Sequence, residues 1–268
     1  MARRARNPLG EMPFLEHLEE LRWRILRALT AILAGAVLGF VAVQQFGALE
    51  LLIRPSREIL GEDGLAFFHP MTPFFVTLKL ALVVGLILAF PLVVREVWGF
   101  LSPGLSSEEK RVIVPSLYFG LVLFTAGVAM AYFLVLPLAL VWGASFQPEF
   151  LVATIEVGQY LGFVTRLLIA FGVVFELPIV VMILSSLGLV TPRFMRDKRR
   201  HAIVGITIVA SMVTPGDLIS TFLMMGPMLV LYEGSILLSG MIYRRKQRAE
   251  RESAFEPTDE PPPGTIGA

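Results

Sequence analysis

The sequence predicts an all-α integral membrane protein of six transmembrane helices with both termini on the cytoplasmic side, and three observations carry that prediction. Hydrophobic residues make up 55% of the 268 and charged residues only 17%, with a mean hydropathy of +0.72, well above a soluble domain of this length. Four predominantly apolar stretches, residues 25–43, 74–94, 112–136 and 161–187, have about the 20 residues needed to cross roughly 30 Å of hydrocarbon. Basic residues gather at alternate ends of these stretches, 19 of the 23 falling on one side of the membrane, which the positive-inside rule makes the cytoplasmic side.

Taken in order, the first element is an amphipathic cytoplasmic helix over residues 13–24. Phe14, Leu18, Leu21 and Ile25 recur at helical spacing on one face, with Glu16, His17, Glu19 and Glu20 largely on the other. The four long spans follow. The fifth apolar run, 202–213, has only 12 residues and at about 1.5 Å per residue covers roughly 18 Å. It crosses only with thinning, snorkelling or help from other helices. The sixth, 218–242, is interrupted by Tyr232, Glu233 and Gly234. Spans five and six are therefore both expected to be short.

On the side opposite the termini, loops over about 44–72 and 138–160 carry Pro55, Pro70 and Pro148 and are expected to form ordered caps, while TPGD at 214–217 is a tight turn. Residues 1–243 form a single membrane domain. The polar, proline-rich stretch 244–268 is expected to be a disordered cytoplasmic tail. The first apolar run follows a charged lead-in without a small-residue cleavage site, so the amino terminus is expected to be retained.

Most familiar chemistry is missing from the pattern. There is no phosphate-binding P-loop, no H-E-x-x-H pair and no G-x-S-x-G turn, so neither an enzyme nor an internal nucleotide motor is expected, and no cofactor. Absence of cysteine excludes disulfides and thiolate metal sites; no nucleic-acid partner is expected. The mid-span charge is chiefly Glu176, in FGVVFELPIV, with Pro178 expected to bend the helix and free backbone carbonyls. A carboxyl at that depth costs about 2.5–3.5 kcal/mol on insertion scales. It is either a structural group satisfied by a neighbouring helix or a polar contact for a guest helix.

Two acidic stretches then stand out. In the lead-in, Glu20 is spaced to pair with Arg24 at i, i+4, which alone is worth a few tenths of a kcal/mol. Between spans two and three, REVWGFLSPGLSSEEKRVIVP holds Glu108 and Glu109. Ser106 and Glu109 have capping-box spacing, which accounts for Glu109 structurally. Yet Glu20, Glu108 and Glu109 share one side of the membrane, beside Trp98, Phe100 and Leu101, and two carboxylates on separate segments suit a pair of planar guanidinium groups.

HLEELR at 17–22, VWGFLSPGLSSEEKR at 97–111, FGVVFELPIV at 171–180 and VTPGD at 213–217, with RPSREI at 54–59 and MTPFFVTLK at 71–79, together resemble the TatC family, the receptor and core subunits of the twin-arginine protein translocase. The resemblance covers about residues 12–245. It implies a concave, cup-like six-helix receptor for twin-arginine signal peptides of folded cargo, in a prokaryotic cytoplasmic membrane. It also implies TatA- and TatB-type single-span partners, other TatC copies, surrounding lipid and the proton motive force as energy source. Glu20 and Glu109 match the carboxylates that hold the arginine pair, and Phe100 an aromatic beside them. Glu108 and His17 adjoin the same surface. Glu176 and Asp217 match polar intramembrane positions, and Ser211, Thr214 and Thr221 fall where the family contacts its partners. The family often has a longer amide where this chain has Thr221 and a larger residue at Ser211. Two other readings are a small ion-coupled secondary transporter built on Glu176 and a membrane scaffold with no peptide site.

Overall fold

The computed structural model describes residues 14–60, 65–102, 107–145, 154–213 and 218–255; within these, the side chains of 14–15, 59–60, 107–109, 111–112, 218–220, 245–246 and 249–255 fall outside the description. TPGD at 214–217 and the capping serine Ser106 lie outside the described residues.

Helix α1 runs from Phe14 to Gln45 without a break. The amphipathic lead-in and the first span are thus one rod, because no Gly or Pro separates the two periodic stretches. Gly47, with φ +66°, turns the chain into α2, Ala48–Leu60, a helix where the sequence led us to expect a loop. Pro55 sits inside α2 and has no N–H for the carbonyl four residues back. That carbonyl, on Leu51, instead accepts a 2.6 Å hydrogen bond from the Tyr132 hydroxyl. The Tyr160 hydroxyl donates to the Leu52 carbonyl at 2.8 Å, so two tyrosines from later spans clamp the cap. A two-residue parallel pairing of β1, Leu65–Ala66, with β2, Ile155–Glu156, ties the two loops of this end together.

Helix α3, Thr72–Leu101, returns along α1. The two helices meet at glycines. A β-carbon on Gly85 would collide with the backbone of Ala36, one on Gly35 with the carbonyl of Gly85, and one on Gly39 with the carbonyl of Ala81. Small residues bring the backbones together, the usual route to tight association where lipid offers no hydrophobic drive. Helix α4, Ser107–Met130, continues through one π turn, Ala131–Val135, into α5, Leu136–Ser145. Pro137 explains the π turn, since its ring would clash with the carbonyl four residues earlier in a regular helix. The third span therefore reaches Ser145, past the expected end at 136.

Helix α6, Val157–Val174, is the central element, burying Val164, Leu167 and Phe171. The Phe90 and Phe124 rings stack beside it at 3.7 Å, with Gly172 of α6 against the Phe124 ring. The chain breaks at Phe175–Glu176 and resumes as α7, Leu177–Ser186, with Pro178 in its first turn. This is the bend expected from Pro178, placed just before the proline because the ring is favoured at the start of a helix rather than inside it. Helix α8, Pro192–Asp197, is capped by the Thr191 hydroxyl. Helix α9, Arg199–Val213, has 15 residues, about 22 Å at the α-helical rise, short of the roughly 30 Å hydrocarbon layer.

Helix α10, Leu218–Phe255, departs from expectation twice. Its segment Thr221–Arg244 is long and apolar enough to cross a membrane, so of the two segments expected to be short only α9 is. The polar residues that suggested an interruption are absorbed by neighbours. Glu233 pairs with Arg199 at 2.6 Å, and the Tyr232 hydroxyl donates to the Met195 carbonyl at 2.8 Å. In the first part of the expected tail, helix continues to Phe255 over a sequence rich in Arg, Lys, Glu, Gln and Ala, all good helix formers, and the rest of that tail, 256–268, lies outside the described residues. The buried hydroxyls of Ser185 and Ser239 share a 2.7 Å hydrogen bond that joins α7 to α10. Among the described residues five segments can span a membrane, Glu16–Gln45, Thr72–Leu101, Ile113–Ser145, Val157–Ser186 and Thr221–Arg244.

Candidate functional site

At the end of the bundle where α1 begins and α3 ends, two helix faces meet. His17, Glu20 and Arg24 stand at i, i+3 and i+7 of α1, hence on one face. Glu96, Gly99 and Phe100, at i, i+3 and i+4, likewise share one face in the last turns of α3. The glycine contact higher up holds these faces close enough for long side chains to interlock.

Arg24 occupies the centre. Its Nε donates to Glu20 Oε1 at 2.9 Å, and its Nη1 lies 3.5 Å from Glu96 Oε2. The guanidinium fills the space where Gly99 would carry a β-carbon. Arg27, more exposed, reaches Glu96 Oε2 at 3.8 Å. The His17 ring stacks on Phe100 with centroids 4.5 Å apart, and its Nδ1 lies 3.9 Å from Glu20 Oε2. Glu20, Arg24 and Glu96 keep only 20%, 22% and 19% of their side-chain surface. Partial burial makes this cluster worth more than the exposed Glu19–Arg22 pair at 3.7 Å, since ion pairs in open solvent contribute about 0–1 kcal/mol. Among the described residues Glu20 Oε2 is buried and accepts no hydrogen bond.

Three of the expected peptide-site residues, Glu20, His17 and Phe100, are therefore gathered in one place. Glu108 and Glu109 fall in the first turn of α4, with side chains outside the described residues. Glu96 escaped the sequence reading. Its signal was available in the stretch REVWGF, where a carboxylate precedes Gly99 and Phe100 by three and four positions, one helical face.

Glu176 is set in the break between α6 and α7, at the N-terminal end of α7. Its carboxylate faces α4, with Oε2 2.8 Å from where a β-carbon on Gly120 would stand. Oε1 is buried and has no hydrogen-bond partner among the described residues. Ser211 is exposed, and its hydroxyl turns back onto the Thr207 carbonyl at 2.8 Å. Thr221 on α10 is buried. Thr214 and Asp217 lie outside the described residues. Among the described residues no three His, Asp or Glu side chains group as ligands for a metal ion. A cavity of about 240 Å³ between α2, β1 and the start of α3 has apolar walls and Arg57. It lies at the other end of the bundle from Glu20.

An all-helical, multi-pass membrane protein with a guanidinium held between two carboxylates at one end of its first two long helices is the class that fold and site define. The chain belongs to the TatC family: the family model for the Sec-independent protein translocase protein (TatC) matches residues 16–227. It is 37% identical over 248 residues to the Sec-independent protein translocase protein TatC of Azotobacter chroococcum mcd 1, covering 92% of this chain and 96% of that one. With the TatC of Aquifex aeolicus (strain VF5) the identity is 36% over 242 residues, 90% of this chain and 100% of the relative. With that of Escherichia coli (strain K12) it is 34% over 230 residues, 85% and 88%. A crystal structure described as the twin arginine translocase receptor TatC superimposes with a TM-score of 0.77 at 36% identity, covering 84% of this chain and 99% of that chain.

Proposed function

We propose that this chain is the receptor and core component of a twin-arginine translocase, binding the paired arginines of signal peptides and moving folded proteins across a prokaryotic cytoplasmic membrane. The observation that carries the reading is Glu20, partly buried, braced by His17 and Phe100, with one carboxylate oxygen accepting no hydrogen bond among the described residues. A carboxylate prepared in this way suits the planar fork of an arginine better than the point charge of a lysine. Glu109 and its neighbour Glu108, opening α4, supply the second acidic position. The carboxylates stand at a membrane surface, where phosphates are themselves negative, because the ligand is cationic.

Both termini are cytoplasmic in this reading, with α9 counted as a sixth, short span. The apolar part of the peptide then inserts toward Glu176. TatA- and TatB-type single-span partners and further copies of the chain dock near α9 and α10, where Ser211 is exposed, the family resemblance also points to Thr214, Asp217 and Thr221, and a short helix favours a locally thin bilayer. The energy source is the proton motive force rather than a nucleotide, and the protein does no covalent chemistry. The ion-coupled transporter reading of Glu176 is not favoured, since family membership accounts for the same carboxyl.

Complementation tests the proposal. In cells lacking their own receptor subunit but supplied with the single-span partners, this chain should export a folded reporter bearing a twin-arginine signal, and collapse of the proton gradient should stop export. Failure to export with the protein present in the membrane would contradict the reading.

A further inference from the structure

Arg24 already occupies the place a ligand arginine would need. Its Nε is bonded to Glu20 Oε1 at 2.9 Å, so a peptide guanidinium can claim both oxygens of Glu20 only if Arg24 moves. A guanidinium leaving its partner in a partly buried setting is costly unless another acceptor receives it. One is within reach: Glu96 Oε2 stands 3.5 Å from Arg24 Nη1, on the neighbouring helix and across the bare backbone of Gly99. Arg27, the other cation near Glu96 Oε2 at 3.8 Å, is mostly exposed and can withdraw into solvent when Arg24 moves onto Glu96.

We propose that Glu96 is a positioning residue for signal-peptide recognition: it takes over the Arg24 guanidinium when a peptide arginine displaces it from Glu20. Glu96 itself need not touch the peptide. The proposal rests on the reading of Glu20 as a peptide ligand. It separates two states of one cluster, a resting state with Arg24 on Glu20 and a loaded state with Arg24 on Glu96. Without Glu96, Arg24 remains a competitor for Glu20 on its own helix, one turn away.

The test is a double-mutant cycle on the full-length protein in detergent, read by fluorescence anisotropy of a labelled twin-arginine signal peptide. Glu96→Gln should weaken binding roughly tenfold, and Glu96→Asp, which keeps an acceptor, should retain most of it. Arg24→Gln should bind roughly threefold or more tightly than wild type, and adding Glu96→Gln to Arg24→Gln should change binding by less than about twofold. Thermal midpoints and gel-filtration profiles identify any misfolded variant. Glu96→Gln that binds like wild type overturns the proposal. So does an equal loss in both backgrounds, which would make Glu96 a direct ligand. Unchanged binding in Glu20→Gln would instead sink the underlying reading, so the two failures are distinct.

Discussion

The guanidinium of Arg24 rests on the backbone of Gly99, in the space a β-carbon would take. A methyl group there meets both Nη1, the atom that reaches Glu96, and the central carbon of the guanidinium, so the whole group must shift; the pair with Glu20, one turn away on the same helix, can re-form, while the reach to Glu96 is lost. The displaced atoms are the tip of a flexible side chain, and alanine favours helix over glycine by about 0.5–1 kcal/mol. Gly99→Ala should therefore leave thermal stability unchanged or slightly raised, yet weaken twin-arginine peptide binding about as much as Glu96→Gln. Differential scanning fluorimetry and peptide anisotropy on the same preparation check both halves.

Gly85 presents the opposite case. A β-carbon there meets backbone atoms of Ala36, which cannot yield without moving α1 away from α3. Gly85→Ala should destabilise by about 1–3 kcal/mol, the range for overpacking a tight interface, and loosen the Arg24–Glu96 contact as a consequence. Thermal or denaturant unfolding in detergent measures the first effect, and disulfide trapping between cysteines introduced on α1 and α3 the second.

The Leu51 carbonyl lacks its helical partner because Pro55 follows, and takes the Tyr132 hydroxyl instead. Tyr132→Phe should cost about 0.5–1.5 kcal/mol, the net worth of a typical hydrogen bond. Pro55→Ala added to it should recover part of that loss, since an alanine N–H can serve the same carbonyl. A recovery absent from the double variant's unfolding curve would contradict the clamp.

The Glu176 carboxylate lies against Gly120 with no room for a methyl between them. Gly120→Ala should push the carboxylate from its seat while keeping the fold, so export of a folded reporter should fall with a stability change under about 1 kcal/mol. Glu176→Gln, which preserves shape, separates the need for position from the need for charge in the same assay.

Half of the cluster was legible in the sequence. Spacing alone placed His17, Glu20 and Arg24 on one helix face, and Phe100 carried a recognisable context. Glu96 was not legible as their partner. It lies 72 positions from Arg24, and the contact depends on how closely α1 and α3 approach, which the scattered glycines Gly35, Gly39 and Gly85 determine only once both helices exist. Hydropathy found the long spans but misjudged ends. It cut the third span at 136 because a π turn absorbs Pro137, and it divided the sixth at Glu233 because the Arg199 that accommodates this charge lies on another helix. The cap helix α2 was hidden by Pro55, although Leu49, Leu52, Ile53 and Ser56 keep helical spacing around it.

The central claim is that carboxylates at the start of α1 and α4 read paired arginines. The most direct measurement compares twin-arginine with twin-lysine signal peptides on purified protein, wild type against Glu20→Gln and Glu109→Gln. The account predicts a clear arginine preference in wild type and a loss of about tenfold or more in each folded variant, the scale of a hydrogen bond to a charged group. Equal affinity for both peptides, unchanged in both variants, would contradict it.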